Sequence, residues 1–378
     1  MRFLFATGGT AGHINPAIAV ASYIREKYAD SEILFIGTAD HMESRLVPNA
    51  GFDFKTIEIN GFKRSMSPKA IADNVKTVFK LIKSEGESKK IIKEFNPDVV
   101  IGFGGYVSGP VLEEAVKLHI PCCIHEQNAF PGITNKQLAK KVDRVMLTVE
   151  DAKKHLDSKN EPVVTGLPVR GEILKKDKES ARNELGIPMD AKVVLSFGGS
   201  LGAAPLNDAM FDILVGNADE GRIYFIHSVG TNGAKYLDRF REKGFSDKGE
   251  NIVFKNTVEV RKYIDNMDAC MAAADVVIGR AGASSLSEIE AMGRASILIP
   301  SPYVAENHQY HNAMALVDRN AARIIEEKDL TTVKLSDTIH ELLSDEKLVF
   351  EIEKNAKSMA ILDSRERIAQ IIVSLAEK

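Results

Sequence analysis

Short apolar runs alternate with amphipathic helical patterns along nearly the whole chain. Several of the runs are rich in valine and isoleucine, which is typical of strands buried on both faces. Helical patterns lie between them, as at residues 15–28, where Asn15 can cap the helix and Pro16 suits its first turn. This alternation predicts parallel sheets of the doubly wound α/β kind. The predicted strands are residues 2–6, 31–37, 98–104, 121–126, 143–148 and 162–166, followed by 191–199, 222–230, 251–256, 274–280 and 296–300.

The predicted strands form two series that begin in the same way. The segments RFLFATGGTAGH and KVVLSFGGSLGA each read as a strand, two glycines, a hydroxyl residue, a further glycine and a helix. A chain of 378 residues also exceeds what one hydrophobic core usually organises. We therefore expect two Rossmann-like domains, at residues 1–165 and 166–356. The charged segment at 165–190 is the predicted linker, and residues 357–378 are predicted to form a final helix.

Composition narrows the class of protein. The formal net charge of −4 argues against a general nucleic-acid binder. Three cysteines, two of them adjacent, give neither a disulfide framework nor a zinc spacing, which fits a reducing compartment. No apolar stretch approaches the roughly 20 residues of a membrane-spanning helix, and the N-terminal apolar run is too short for a signal peptide. We expect any membrane contact to be peripheral.

The two glycine turns are candidate ligand sites. The first contains Gly8, Gly9 and Gly12, and the second contains Gly198, Gly199, Ser200 and Gly202. Glycine permits a close approach of backbone or ligand, and a helix N-terminus at such a turn favours anionic oxygen. The spacing matches neither a dinucleotide fingerprint nor a Walker motif. A tight connection without a ligand is the alternative, but two matched turns favour binding.

His13 directly follows the first turn, at the carboxyl end of a predicted strand, where ligands collect in such sheets. An imidazole that titrates near neutrality suits removal of a proton from a hydroxyl group. A histidine that only bonds to backbone groups of the turn is the alternative.

Glu288 begins a predicted helix after the strand at 274–280. Ser285 and Glu288 have capping-box spacing, so Glu288 has a structural interpretation. The functional interpretation is that its carboxylate accepts both ribose hydroxyls of a nucleotide. A later amide and imidazole cluster suits sugar hydroxyls and does not resemble a zinc site. Its members are His308, Gln309, His311 and Asn312.

Two glycine-rich segments in the first half, at 102–110 and 125–132, follow predicted strand ends. They leave room for a bulky acceptor, and Asn128 offers both a donor and an acceptor. His125 and Glu126 have an alternative interpretation as paired core residues.

Residues 62–93 carry nine Lys or Arg residues against three acids. Apolar residues recur there at helical spacing. The segment is either a surface helix with a solvated basic face or a helix that lies on anionic lipid. The apolar positions are Ile71, Val75, Val78 and Ile82.

The order of motifs resembles the MurG family, the N-acetylglucosaminyltransferases of peptidoglycan synthesis. The resemblance extends from the N-terminus to about residue 325. The chain departs from the commonest family pattern at Ala11, Leu167 and Leu201. The matching segments are GGTAGHINPA, LFIGTADHMESRLVP, DVVIGFGGYVSGP, IHEQNAFPGITNK, TGLPVR, SFGGSLGA, GRAGASSLSEIEAMG and LIPSPYVAENHQYHNA.

This resemblance implies a GT-B fold, with two Rossmann-like doubly wound parallel-sheet domains facing across a cleft and the last helix returning to the first domain. It implies an inverting transfer of GlcNAc from UDP-GlcNAc to the muramyl 4-hydroxyl of undecaprenyl-pyrophosphoryl-MurNAc-pentapeptide (lipid I), giving lipid II. The implied location is peripheral, on the cytoplasmic face of the cell membrane. The implied partners are both substrates, an anionic membrane surface and other cell-wall synthesis proteins; we expect no nucleic acid, cofactor or metal ion.

The resemblance also implies roles for individual residues. In the second domain it places Arg170 and Ser200 at the pyrophosphate. It places the backbone of Ile264 at the uracil, Glu288 at the ribose, and Gln309 with His308 at the GlcNAc hydroxyls. Along the phosphates it places the backbone of Ala283, Ser284, Ser285, Leu286 and Ser287. In the first domain it places Thr10, Ala11, Gly12 and Asn128 at the donor sugar and acceptor, and His13 as the favoured base.

Three other classes of protein remain to be weighed. A UDP-GlcNAc 2-epimerase shares the architecture and the donor but leaves the basic segment and the glycine-rich acceptor loop unexplained. A non-catalytic sugar-nucleotide-binding subunit does not explain His13 or two complete halves. An NAD(P) oxidoreductase is disfavoured by the missing dinucleotide fingerprint.

Overall fold

The computed structural model describes residues 1–59, 68–220, 223–255 and 257–377; for residues 68–76, 78, 79 and 218–220 it describes the backbone alone. The chain divides into two compact units. Unit 1 comprises Met1–Pro168 and Ile361–Lys378, and unit 2 comprises Val169–Ala360. Each unit has its own sheet.

Unit 1 contains a seven-stranded sheet in the order β3-β2-β1-β4-β5-β6-β7, with every pair parallel. Its strands are β1 (Arg2–Ala6), β2 (Glu32–Gly37), β3 (Asp53–Thr56), β4 (Val99–Gly102), β5 (Cys122–Glu126), β6 (Arg144–Leu147) and β7 (Val163–Val164). Its helices are α1 (Ala11–Lys27), α2 (Glu43–Asn49), α3 (Pro68–Phe95), α4 (Ser108–Lys117), α5 (Ile133–Leu138) and, from the end of the chain, α14 (Ser364–Ala376).

Both faces of this sheet are buried, which explains why its central strands are apolar without alternation. On one face, Phe3 and Phe5 of β1 pack in a core with α1 and α14, and Phe5 stacks on Phe35 with ring centroids 5.0 Å apart. On the other face, Leu4 packs in a second core with residues of α3 and α4. The strand order reverses between β1 and β4, so the loops after these two strands meet at the place where doubly wound folds bind ligands.

Unit 2 contains an eight-stranded sheet in the order β10-β11-β12-β9-β8-β13-β14-β15. The pairs β10–β11 and β11–β12 are antiparallel and the remaining pairs are parallel. Its strands are β8 (Lys192–Phe197), β9 (Ile223–Ser228), β10 (Ser246–Lys248), β11 (Asn251–Phe254), β12 (Val258–Arg261), β13 (Val276–Gly279), β14 (Ala295–Leu298) and β15 (Arg323–Ile324). Its helices are α6 (Lys178–Leu185), α7 (Ala204–Glu220), α8 (Ala234–Glu242), α9 (Met267–Ala273), α10 (Ala283–Met292), α11 (His308–Val317), α12 (Thr332–Ser344) and α13 (Glu346–Met359).

Each strand predicted from an apolar run overlaps a strand of the structure, but four strands were missed. These are β3, β10, β12 and β15, all of two to four residues. Three of them, β3, β10 and β15, are edge strands, and sequences such as DFKT and SDK are polar because they are largely open to solvent. The fourth, β12, is mostly buried, but its sequence VEVR is too short and too charged to read as an apolar run. The antiparallel edge of unit 2 was missed for the same reason, since β11 pairs only with two of these short strands.

The segment at 165–190, predicted as a linker, folds largely within unit 2. It contains α6, whose Arg182 is buried and donates to the Ala273 carbonyl at 3.1 Å and to Asp275 at 3.0 Å. Arg182 is thus a buried and paired charge, whereas most of the other charged residues of this segment are exposed. The units separate at Pro168, near the start of this segment.

The final helix was also predicted too long. The structure ends α13 at Met359 and begins α14 at Ser364, so residues 357–378 are not one helix. Ile368, Ile372 and Leu375 are buried in the core that contains β1, as their helical spacing predicts. Ile371 is only partly buried.

The loops after β1 and β4 approach each other at backbone distance, and a glycine makes this possible. Gly105 has φ of 81°, and a Cβ at this position would lie 2.4 Å from the Gly8 carbonyl oxygen. At Gly86, within α3, a Cβ would have no atom within 4 Å apart from the backbone of its own helix.

We predict opposite effects for alanine at these two glycines. Gly105→Ala lowers the free energy of unfolding by at least about 2 kcal/mol, because left-handed backbone and a backbone clash are both imposed on a residue with a Cβ. Gly86→Ala raises it by up to about 1 kcal/mol, because alanine is the better helix former. Guanidinium unfolding measures both, and equal stability of the two variants contradicts the close approach.

Candidate functional site

The first glycine turn lies at the carboxyl end of β1. Helix α1 begins at Ala11, and its N-cap residue Thr10 makes no side-chain capping bond. Gly9 has φ of 89°, in the left-handed region that favours glycine. At the start of this helix Thr10 is exposed, and Ala11 and Gly12 are half-buried.

His13 lies in the first turn of α1 with its Nδ1 atom 3.2 Å from the Gly8 carbonyl oxygen. A carbonyl only accepts, so Nδ1 carries the proton and Nε2 is the basic nitrogen. The Thr10 hydroxyl oxygen lies 3.4 Å from the same Nδ1. Burial lowers the pKa of His13, while the bond to Gly8 and the charge of Glu43 oppose that shift. The bond to the turn predicted by the structural alternative is present, and it uses only one of the two ring nitrogens.

Glu43, the first residue of α2, was not singled out from the sequence. It is fully buried, and its Oε2 accepts the Gly9 N–H at 3.1 Å. Its Oε1 accepts from the N–H and the hydroxyl of Thr38, at 3.1 and 2.7 Å. It lies in the segment LFIGTADHMESRLVP that matches the family, but neither this match nor its place at a helix start reveals a bond to a turn 34 residues away.

The loop after β4 borders the same turn. A Cβ on Gly104, whose φ is 95°, would lie 2.8 Å from Cδ2 and 3.1 Å from Nε2 of His13. The Ser108 hydroxyl donates to the Ala6 carbonyl at 3.1 Å and so ties the start of α4 to the end of β1. The glycines at 104 and 105 thus let this loop lie directly beside the imidazole.

The loop after β5 is organised by a buried carboxylate. Glu126 accepts from the N–H and the side-chain amide of Asn128, at 2.9 and 3.2 Å, through Oε1. Its Oε2 accepts from the Gly132 N–H at 3.1 Å and from the Asn135 amide at 2.8 Å. Burial raises the pKa of Glu126, although these donors oppose the shift. Asn128 therefore occupies a fixed position, as a residue that faces a ligand requires.

His125 and Glu126 are both buried, as the core interpretation predicts, but each bonds to other groups and not to its neighbour. His125 lies 2.9 Å through Nε2 from the Gly166 carbonyl and 3.2 Å through Nδ1 from the Gln127 amide nitrogen. Burial lowers its pKa to about 4, which makes it a neutral residue of the core. The Gln127 amide also donates to the Phe103 carbonyl at 3.1 Å, which joins the ends of β4 and β5.

The second glycine turn lies at the carboxyl end of β8 in unit 2. It packs against the loop after β9 at backbone distance, since a Cβ on Gly202 would lie 2.0 Å from the Val229 carbonyl oxygen. The Ser200 carbonyl accepts from the N–H and the hydroxyl of Thr231, at 3.0 and 3.1 Å. Ser200 itself is exposed. Among the hydrogen bonds of the described residues, none joins a carboxylate to this turn.

Glu288 and Arg170 form a two-pronged ion pair. Arg170 Nε lies 2.7 Å from Oε1 and Nη2 lies 3.0 Å from Oε2 of Glu288. The capping-box interpretation of Glu288 is wrong, because α10 begins at Ala283 with Gly282 as its N-cap and without a side-chain capping bond. The structure thus brings together the two residues that the resemblance assigns to the ribose and the pyrophosphate.

The first turn of α10 follows β13, the strand beside β8, so two helices begin at neighbouring strand ends in unit 2. These positions include Ala283, Ser284, Ser285, Leu286 and Ser287.

The backbone of Ile264 lies in the loop after β12, where Arg261 donates to the Asn266 side chain at 2.6 Å. The strand order reverses between β8 and β13, which places these loops at the ligand-binding edge of the unit 2 sheet.

The cluster after β14 lies on a strained turn. Glu306 and Asn307 have φ of 52° and 49°, which is rare for residues other than glycine. The turn delivers His308 and Gln309 to the start of α11. The Gln309 side-chain oxygen accepts the Ser301 N–H at 2.9 Å, which orients its amide. Asn312 is buried, and its amide donates to the Ala281 carbonyl at 3.1 Å, so it supports the loop after β13.

Comparison with known proteins agrees with this geometry. The glycosyltransferase family 28 N-terminal domain matches residues 3–147 and the family 28 C-terminal domain matches residues 193–370. A protein of Acetivibrio thermocellus named UDP-N-acetylglucosamine–N-acetylmuramyl-(pentapeptide) pyrophosphoryl-undecaprenol N-acetylglucosamine transferase is 45% identical over 98% of this chain and 97% of its own length. A protein of the same name from Bacillus cytotoxicus is 40% identical over the full length of both chains. This chain belongs to the MurG family of glycosyltransferases.

The crystal structure of Acinetobacter baumannii MurG is 25% identical and covers 99% of both chains with a TM-score of 0.78. The predicted GT-B fold class and the resemblance to the MurG family are therefore confirmed. A putative UDP-N-acetylglucosamine 2-epimerase from Listeria monocytogenes, at 13% identity and a TM-score of 0.65, shares the fold alone.

The departures from the common MurG pattern fall at positions that tolerate them. Ala11 is the first residue of α1, where alanine is a good helix former. Leu167 is buried at 2% exposure, so an apolar side chain suits its surroundings. Leu201 is 63% exposed, at the tip of the second glycine turn.

Proposed function

We propose that this chain is a UDP-GlcNAc-dependent N-acetylglucosaminyltransferase that transfers GlcNAc, with inversion, to the muramyl 4-hydroxyl of lipid I. The products are lipid II and UDP, in peptidoglycan synthesis. The observation that carries this proposal is the full-length likeness, at 45% identity, to a protein named for that reaction. The chemistry of the two glycine turns supports it independently.

The two turns differ in the charge that surrounds them. In unit 1, the Gly9 N–H is already bonded to the buried carboxylate of Glu43, and a diphosphate there would meet a like charge. In unit 2, the helices α7 and α10 begin at neighbouring strand ends, and Arg170 lies at Glu288 of α10. Helix N-termini and guanidinium groups both favour phosphate oxygens. We therefore assign the donor nucleotide to unit 2 and the acceptor hydroxyl to unit 1.

In the proposed reaction, the muramyl 4-oxygen attacks C1 of GlcNAc on the face opposite the diphosphate. The C1–O bond to the diphosphate breaks, and its electron pair leaves with UDP. His13 takes the hydroxyl proton on Nε2, the nitrogen that does not bond to the turn. Arg170, Ser200 and the start of α10 stabilise the charge that grows on the leaving diphosphate.

The same assignment gives roles to the remaining residues. Glu288 accepts the ribose hydroxyls, the backbone of Ile264 contacts the uracil, and Gln309 with His308 contacts the GlcNAc hydroxyls. In unit 1, Thr10, Ala11, Gly12 and Asn128 contact the reacting sugars. The fixed positions of Asn128 and Gln309 support this assignment, since Asn128 is bonded to Glu126 at the end of β5 and Gln309 to the backbone of Ser301 after β14.

We further propose that unit 1 lies on an anionic membrane surface at the cytoplasmic face, because the acceptor's undecaprenyl tail stays in the bilayer. Among the described residues, no helix is long and apolar enough to span a membrane. Part of the predicted docking segment at 62–93 lies outside the described residues, including Phe62, Lys63 and Arg64. The side chains of Lys69, Ile71, Val75, Lys76, Val78 and Phe79 are likewise outside the description.

The described part of this segment limits which of its side chains can contact a membrane. Lys80 and Lys83 form ion pairs with Glu58 at 3.0 and 2.6 Å, so these two lysines are engaged within the protein. Ile82 is 64% exposed, and Lys89 and Lys93 are exposed on the same helix. Basic residues around an exposed apolar side chain suit an anionic interface.

The first prediction concerns the reaction and its base. The wild-type protein converts UDP-GlcNAc and a short-chain lipid I analogue to the disaccharide product and UDP, and activity persists in EDTA. His13→Ala lowers kcat by roughly 10²- to 10⁴-fold, the usual contribution of a general base. His340→Ala, an exposed histidine of unit 2, serves as the control. Full activity of His13→Ala shows that another residue is the base. Complete loss of wild-type activity in EDTA overturns the metal-free mechanism.

The second prediction concerns Glu288. Glu288→Ala raises the KM for UDP-GlcNAc by roughly 10- to 150-fold, because a charge-assisted hydrogen bond contributes about 1.5–3 kcal/mol. The same change in an Arg170→Gln background separates a direct contact from an effect through the ion pair. A direct contact with the ribose raises KM in both backgrounds. No further rise in the Arg170→Gln background shows that Glu288 only orients Arg170.

The third prediction concerns the membrane. Lys89→Glu with Lys93→Glu weakens sedimentation with anionic liposomes at low salt by about 30-fold or more, since each lysine near such a surface contributes about 1 kcal/mol. Activity on a water-soluble acceptor is retained. Lys243→Glu with Lys248→Glu makes the same charge change on unit 2 and leaves binding unaltered. Equal liposome binding by both variants places the docking surface elsewhere.

A further inference from the structure

A single peptide group in the first glycine turn has a bonding partner on each side. Its carbonyl, from Gly8, lies 3.2 Å from the Nδ1 atom of His13. Its N–H, from Gly9, donates to Oε2 of Glu43 at 3.1 Å. Imidazole and carboxylate are therefore joined through one peptide group, without direct contact.

The carboxylate of Glu43 is held in a fixed position against the turn. It is fully buried, and its other oxygen accepts two hydrogen bonds from Thr38, at 3.1 and 2.7 Å. A Cβ built on Gly8 would lie 2.6 Å from that oxygen, so the turn is packed directly against the carboxylate. All three partners are donors, which suits an ionised carboxylate. Among the described residues, no lysine or arginine forms an ion pair with Glu43.

We propose that Glu43 is a positioning residue for His13, which orients the imidazole and increases its basicity through the Gly8–Gly9 peptide group. This role rests on the proposed function, in which His13 is the base. Glu43 does not contact the reacting atoms. It acts on them through the turn.

The physical reason lies in the polarity of the peptide group. An N–H bonded to an anion polarises its peptide, which makes the carbonyl oxygen a stronger acceptor. The stronger acceptor holds the Nδ1 proton of His13, fixes the tautomer and leaves Nε2 as the basic nitrogen. When Nε2 takes a proton, the resulting imidazolium is stabilised by the same carbonyl and by the charge of Glu43.

The charges around His13 agree with this direction. Burial lowers the pKa of His13, and the Gly8 carbonyl and Glu43 both act to raise it. The loop after β4 faces the ring with Gly104, which does not titrate. The next imidazole, His125, is held neutral by burial, with its pKa lowered to about 4. Glu43 is therefore the charged group that offsets part of the effect of burial.

Glu43→Gln tests the proposal because glutamine keeps the shape and can still accept the Gly9 N–H. The acid limb of kcat/KM moves to lower pH by about one unit, which is a tenfold change in proton affinity. At neutral pH kcat falls about 3- to 10-fold because the base is weaker, and the KM for UDP-GlcNAc is unchanged. Glu114→Gln, at another buried glutamate of unit 1, moves neither quantity.

Nitrogen-15 NMR of histidine-labelled protein gives a readout that does not depend on catalysis. In the wild-type protein, His13 carries its proton on Nδ1 and titrates at Nε2, and in Glu43→Gln its pKa is lower. A wild-type His13 with its proton on Nε2 overturns the proposal, even if the glutamine variant fails to fold.

The two measurements separate failure of this proposal from failure of the proposed function. If His13→Ala abolishes transfer while Glu43→Gln leaves both the pH profile and the His13 titration unchanged, Glu43 is only structural. If Glu43→Gln shifts the His13 titration but His13→Ala retains full activity, the coupling exists and His13 is not the base.

Discussion

The peptide group between Gly8 and Gly9 has one carbonyl and one N–H, and the fold of unit 1 gives each a fixed partner. His13 of α1 bonds to the carbonyl, and Glu43 of α2 accepts the N–H. Gly105, from the loop after β4, packs against the same carbonyl so closely that a Cβ does not fit. The start of α1, the start of α2 and the loop after β4 therefore all depend on one turn. Since all three elements contact this turn, a change in any of them alters the surroundings of the His13 imidazole.

The two glycine turns have nearly the same sequence pattern and opposite surroundings. Both follow the first strand of their unit and both pack against backbone at distances that exclude a Cβ. The first is bonded to a buried carboxylate, whereas no carboxylate among the described residues bonds to the second. A helix N-terminus favours anions, and a carboxylate already bonded beside it weakens that preference through like-charge repulsion. One fold thus gives a site suited to a neutral hydroxyl in unit 1 and a site suited to diphosphate in unit 2.

Much of this could be predicted from the sequence, and the failures have physical causes. Strands buried on both faces appear as continuous apolar runs, and each of these was found. Strands with an open face, such as Asp53–Thr56, carry polar residues and were missed. The motifs around Gly8 and Gly198 predicted the two strand-to-helix turns, because glycine spacing determines backbone conformation. They could not predict the partners of the turns, since Glu43 reaches Gly9 from another loop.

The interpretation of Glu288 as a capping residue failed for a related reason. Ser-x-x-Glu spacing is local, but α10 begins at Ala283, and the partner that decides the role of Glu288 is Arg170, 118 residues earlier in the chain. This pair also bears on how the donor binds. A partly exposed ion pair contributes at most about 1 kcal/mol, so separating the two charges costs little. Without the donor, the Arg170 guanidinium and the Glu288 carboxylate pair with each other, so neither charge is left unpaired. Guanidinium has five N–H donors, and Arg170 can keep a bond to Glu288 while others turn to phosphate oxygens. If unit 2 binds the donor as we propose, the pair holds both groups in place beforehand, and part of the entropy cost of ordering them has been met before the donor binds.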